Sequence, residues 1–149
     1  MEFRIPPLWR YESPPTDLLR VHAGMLYARR DEAIDVAYVE VSGAGWRPAV
    51  QDCHGNCETW CGLHPEYRLV RGWIFIPLPG LAYSRFLPHS IVRQPDGQLV
   101  DITPRGHLLG STPYRFLGSI VDNEVYEAMV VDLYAAAGTG NLDWQHSPA

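Results

Sequence analysis

The sequence predicts an α+β fold, an antiparallel sheet with helices packed on it, and three observations carry that expectation. Apolar residues recur at helical spacing toward both ends, alternating β-branched stretches fill the middle, and a strong turn signal joins two of the strands. The order is helix, strand, helix, antiparallel meander, helix, which is the segregated pattern of this class.

Each element has a local reason. Residues 1–15 hold Pro6, Pro7, Pro14 and Pro15 and read as an extended arm. Thr16-Asp17 is an N-cap with an acidic first turn. Leu18, Leu19, Val21, His22, Met25 and Leu26 follow at helical spacing. Ile34 to Val41 alternates as a strand and stops at Ser42-Gly43-Ala44-Gly45. Cys53 to His64 lacks proline, follows Asp52 as a candidate N-cap and ends at Gly62 and Pro65, so it reads as a short helix. Tyr67 to Leu78 is a strand, and Pro77 to Pro88 is a long loop. His89 to Gln94 and Gln98 to Thr103 form a hairpin across Pro95-Asp96-Gly97. A loop with Gly106, Gly110 and Pro113 leads to a short apolar piece, Tyr114 to Leu117. The last helix runs from about Asp122 to Ala136, and residues 138–149 read as a mobile tail.

The 149 residues make a single domain, 1–149, long enough to bury roughly 70% of the unfolded surface. All twelve basic residues are arginine. Without lysine there is no Schiff-base, phosphate-loop or lysine-base chemistry, since each needs a tunable amine. A net charge of −5 argues against nucleic-acid or anionic-membrane partners. No apolar run approaches the roughly 20 residues that span a bilayer. The N-terminal residues lack a signal-peptide pattern, so the expected location is cytoplasmic. Three cysteines in such a protein are expected to stay reduced.

The chemistry concentrates between Cys53 and Pro104. At a helix start, free N–H groups and the positive dipole end favour a thiolate at Cys53. Cys57 and Cys61 lie deeper on the same face and read as small buried hydrophobes. His89 opens one hairpin strand and faces a residue near 103, which makes Asp101 a diagonal neighbour on the same face. A carboxylate there would hold one ring nitrogen of His89 and leave the other for a thiol.

His89-Ser90-Ile91-Val92 and Asp101-Ile102-Thr103-Pro104, with the turn at Gly97, resemble the histidine and aspartate strands of transglutaminase-like proteins, within the papain-like thiol enzymes. Asp52-Cys53-His54-Gly55-Asn56 is similar to their nucleophile helix start. The same stretch is similar to small bacterial proteins that share a Cys-His-x-Asn helix start, a Gly-Trp strand (here Gly72-Trp73) and this hairpin. The resemblance covers about residues 46–104. Ile91 stands where typical members carry an aromatic, and His54 where they carry a small or aromatic residue. The resemblance implies a papain-like core, with Cys53 as nucleophile, His89 as general base and then acid, and Asp101 orienting His89. It implies acyl transfer on a peptide or small amide or ester, without a cofactor.

Around this trio, His54 reads as a rim residue. Asn56 is either a donor to a substrate carbonyl or a structural tie. Arg85 is placed in the loop before His89, flanking a cleft. Two rival readings use the same residues. One is a zinc module built on the Cys53/Cys57/Cys61 cluster, with Cys53, Cys57 and His89 as its ligands. The other is a catalytically silent binding relative.

Overall fold

A computed structural model describes residues 10–104 and 114–146. Its elements in chain order are α1 (Asp17–Ala28), β1 (Ile34–Tyr38), α2 (Cys53–Leu63), β2 (Arg68–Ile76), β3 (Tyr83–Arg93), β4 (Leu99–Asp101), β5 (Tyr114–Gly118), α3 (Asn123–Ala137) and β6 (Leu142–Gln145). A 3-10 turn at Arg30–Glu32 links α1 to β1. The mixed α+β class is as expected, but the sheet is not open. The strands run β2-β5-β1-β4-β3-β6, and β2 also pairs with β3, so five strands close a barrel with β6 outside it. Every ladder is antiparallel except β1 with β4.

Closure rests on β3, which is longer than its sequence suggests. It begins at Tyr83, inside the stretch expected to be a loop, and pairs with β2 from Arg68↔Arg93 to Ile76↔Arg85. Pro88 made that stretch look irregular, because proline cannot donate to a ladder. The strand tolerates it where only one edge is paired. On its other edge β3 meets β6 through residues 83–86 and β4 through residues 92–93, leaving Pro88 in the gap between them.

The barrel is filled by one residue from each strand: Val36, Val70, Ile91, Leu99 and Phe116. Gly72 is obligatory here, since a Cβ would run into the Leu117 carbonyl oxygen and the Phe116 ring. A larger cluster forms where α1 and α3 cover Trp73, Phe75, Phe86 and Leu117. α1 contributes Leu19, His22, Ala23 and Leu26 to the inside, while Leu18, Val21 and Met25 face solvent. α2 packs separately, with Cys57 and Trp60 on Val92, Val100 and Ile102.

The N-cap expected at Thr16 is present, and α3 is capped at both ends. Thr16 Oγ1 accepts from Leu19 N–H, Asp122 Oδ1 accepts from Val125 N–H, and Gly138 closes α3 in the left-handed region at φ 71°. The mobile tail expected from residue 138 onward is corrected. Leu142–Gln145 is a strand on β3, with Leu142 and Asp143 fully buried. The Asp143 carboxylate accepts from Arg85 Nε at 2.8 Å and Nη2 at 2.9 Å, and from Glu12 N–H at 2.8 Å. One buried ion pair thus ties β3, β6 and residues 10–12 together. The arm's first nine residues, with Pro6-Pro7-Leu8-Trp9, lie outside the described residues, as do the 105–113 loop with His107 and the last three residues. No helix among the described residues is long and apolar enough to cross a membrane.

Candidate active site

Cys53 is the first residue of α2, and the first closed turn of that helix is Asn56 N–H to Asp52 C=O. The N–H groups of Cys53, His54 and Gly55 therefore have no intrahelical acceptor. Asp52 is the N-cap but makes no side-chain cap bond. Its carboxylate lies over Gly55, where an added Cβ would sit 2.7 Å from Oδ1. Gln51, two residues before the thiol, holds a left-handed backbone at φ 62°, the kind of strain that surrounding structure must enforce.

His89 reaches the thiol from β3. The hairpin register pairs Val92 with Val100 and Arg93 with Leu99, which puts Asp101 diagonally across from His89. His89 Nε2 donates to Asp101 Oδ2 at 2.8 Å, and the other carboxylate oxygen accepts from Thr103 N–H at 3.0 Å. Asp101 is fully buried and His89 nearly so. His89 and His54 both lie close enough to Cys53 to act on its thiol. With Nε2 committed to Asp101, His89 is left with Nδ1 for the sulfur. The structure brings Cys53, His89 and Asp101 together.

The electrostatics favour an ion pair. Burial alone would push the Cys53 thiol up, but hydrogen bonds from His54 and His89 and the charge of His89 outweigh it and bring the group down to about 6. Burial alone would lower His89, yet Asp101 and the Cys53 sulfur raise it to about 9. Between those values the pair is thiolate and imidazolium. Cys57, fully buried beside it, is pushed strongly up by burial and by the neighbouring Cys53. Cys61 is pushed up by burial. Of the three thiols, only Cys53 is pulled down.

Asn56 resolves to a tie. Its amide donates to Ala49 C=O at 2.7 Å and Thr103 Oγ1 at 3.1 Å, and its oxygen accepts from Ala49 N–H at 2.9 Å. It therefore clamps α2 to the strand end that carries Asp101. The Cys-x-x-Asn and Asp-x-Thr spacings meet through this contact.

One expectation is corrected. Arg85 flanks no cleft. It lies within β3, 2% exposed, with its guanidinium on Asp143, because the loop in which it was placed is strand. His54 lines a pocket at the edge of the site, and its Nδ1 lies 2.5 Å from Ser90 Oγ and 3.2 Å from Arg71 Nη1.

Sequence reasoning missed the group behind His54. Arg71, on β2, is buried, donates to Ser90 Oγ at 3.0 Å, and pairs with Glu58 at 2.6 Å and Glu127 at 3.0 Å. Tyr126 Oη donates to Gly72 C=O at 2.8 Å, and its ring stands edge-on to His54. A charged residue inside an apolar strand was the one available signal for Arg71. These residues border a pocket of about 220 Å³ beside His54, walled on its apolar side by Val130 and Val131.

Among the described residues, no group of three or more His, Cys, Asp or Glu side chains is arranged to hold a metal ion. Compared with known proteins, the chain matches no protein-family model, no curated protein and no solved structure.

Proposed function

We propose that this protein is a cysteine-dependent acyl-transfer enzyme acting on a peptide or a small amide or ester. One observation carries the reading: a thiol at a helix start faces a histidine whose far nitrogen is held by a buried aspartate. The order Cys, His, Asp and the short motifs around it support kinship with transglutaminase-like enzymes. A cytoplasmic setting fits a nucleophile that must stay reduced.

In the first half-reaction the Cys53 sulfur bonds to the carbonyl carbon. Charge moves to the carbonyl oxygen, and the unpaired N–H groups of the first helical turn are placed to receive it. The bond from carbon to the leaving nitrogen or oxygen then breaks, and the His89 proton passes to the leaving atom. Asp101 keeps the His89 ring oriented throughout. In the second half-reaction neutral His89 takes a proton from water or an amine, which attacks the thioester and releases Cys53.

The test is selective alkylation. Iodoacetamide near pH 7, read by peptide mass spectrometry, is expected to modify Cys53 well before Cys57 and Cys61. An activated ester should leave a transient acyl group on Cys53. Equal labelling of the three cysteines, with no acyl adduct, would overturn the proposal.

A further inference from the structure

Two imidazoles meet one sulfur in this site, and their partners give them opposite characters. His89 is backed by a carboxylate, Asp101, which only accepts. His54 is backed by a guanidinium, Arg71, which only donates. Arg71 Nη1 spends its two hydrogens on His54 Nδ1 and Ser90 Oγ, and the Ser90 hydroxyl then turns its own hydrogen to His54 Nδ1. Nδ1 is therefore an acceptor twice over and carries no proton. The ring's one hydrogen sits on Nε2, the only donor His54 can offer to the sulfur.

We propose that Arg71 locks His54 in its neutral Nε2–H form, making His54 a second catalytic residue that donates a hydrogen bond to the Cys53 sulfur while His89 alone carries the mobile proton. Arg71 acts through His54 as a positioning residue. The inference rests on the acyl-transfer reading above and goes beyond it by dividing the work between the two rings.

The chemistry needs that division. An attacking thiolate leaves one proton on a neighbouring imidazole, and that proton must reach the leaving atom. Two equivalent histidines would share it, and half the population would hold it on the wrong ring. A guanidinium against Nδ1 removes the ambiguity, because a doubly protonated His54 would point N–H at N–H. The His54 bond is also the first of the influences that bring the thiol down against burial, ahead of that from His89.

Arg71 is built to hold this place. Its side chain is 3% exposed, and its charge is balanced by Glu58 on α2 and Glu127 on α3. Around the sulfur and its two rings stand Cys57 on α2, Ser90 on β3, Asp101 on β4 and Tyr126 on α3, with Arg71 on β2 and its partners Glu58 and Glu127 behind His54. Of these, only Asp101 is a carboxylate hydrogen-bonded to one of the two rings, and it holds His89.

The experiment uses the unmodified, ¹⁵N-labelled protein near pH 7, with long-range ¹H–¹⁵N correlations of the histidine rings assigned by loss of signal in His54→Asn. The expected spectrum shows His54 with a bare Nδ1 and a protonated Nε2, and His89 protonated at both nitrogens. A proton on His54 Nδ1 overturns the proposal, whatever Cys53 does. In Arg71→Met the ring spectrum is expected to show a proton on His54 Nδ1, and in Arg71→Lys a bare Nδ1 again, since an ammonium also only donates. A His54 Nδ1 that stays bare in a folded Arg71→Met protein overturns it too, and if that variant does not fold the spectrum of the unmodified protein decides alone. The acyl-transfer reading fails separately, by equal labelling of the three cysteines, and the ring spectrum is read in either case.

Discussion

Replacing Asp101 with asparagine probes the candidate triad with almost no change in volume. The Thr103 N–H bond to Oδ1 survives, so the new amide nitrogen falls where Oδ2 stood, 2.8 Å from His89 Nε2. A donor there makes Nε2 an acceptor and moves the ring's proton to Nδ1, against the sulfur. His89 can then no longer take the thiol's proton. Raising His89 from 6.5 to about 9 corresponds to about 3 kcal/mol of preference for the imidazolium. Losing most of that returns Cys53 from about 6 toward the ordinary thiol value of ~8.5 or above. At pH 7 the thiolate fraction would fall roughly 30-fold. A more basic thiolate is intrinsically more reactive, by about tenfold over this range. The two effects nearly cancel, so a rate at a single pH would mislead by showing only about a threefold loss. The informative assay is iodoacetamide alkylation of Cys53 across pH 4–10 in both proteins. The inflection should move up by two units or more, with turnover of an activated ester falling by orders of magnitude. An Asp101→Asn protein that still alkylates with its inflection near 6 would refute the ion-pair reasoning.

Three further outcomes follow from the same structure. The rate of ester hydrolysis should be bell-shaped in pH, rising as Cys53 deprotonates near 6 and falling as His89 loses its proton near 9; a profile rising monotonically past 9 would contradict the assignment. Arg85→Ala should lower urea-measured stability by about 3–5 kcal/mol, because it strands the buried Asp143, while the Cys53 alkylation inflection stays near 6; a folded Arg85→Ala protein of normal stability that has lost ester turnover would restore Arg85 to the site. His22 is 3% exposed with Nε2 unpartnered, and burial lowers its pKa below 6.5. The unfolded chain therefore binds the proton more readily, and stability drops as pH falls through 6.5. His22→Leu should gain more at pH 5 than at pH 7.5 in urea titrations, and an equal gain at both would show that His22 contributes no acid sensitivity.

The elements that were legible beforehand are those whose causes are local. Thr16 caps α1, Asp122 caps α3 and Gly97 turns the hairpin, each through contacts within a few residues. The hairpin register follows from the same turn, and it set Asp101 beside His89 before any coordinates were needed. What misled was local information with a distant answer. Pro88 and its neighbours read as loop because no nearby residue reveals that β2 pairs along the whole of β3. Leu142–Gln145 read as a frayed end because Arg85, which holds Asp143, lies 58 positions away. α1's apolar spacing named six positions, and only packing against Trp73 and its neighbours selected which of them lie inside.

The sequence by itself determined the helices, the hairpin and the three chemical types of the candidate site, thiol, imidazole and carboxylate, in a chain without lysine. Those features rest on propensity, capping, turn chemistry and side-chain identity, and each is written within about a dozen residues. Tertiary structure alone decided that the sheet closes into a barrel, that Arg85 is a girder, and that Arg71, 17 positions from His54 and 56 from Glu127, stands behind the thiol. A buried charge takes its meaning from the partners that surround it, and chain closure across such distances brings those partners from elements the local pattern cannot see.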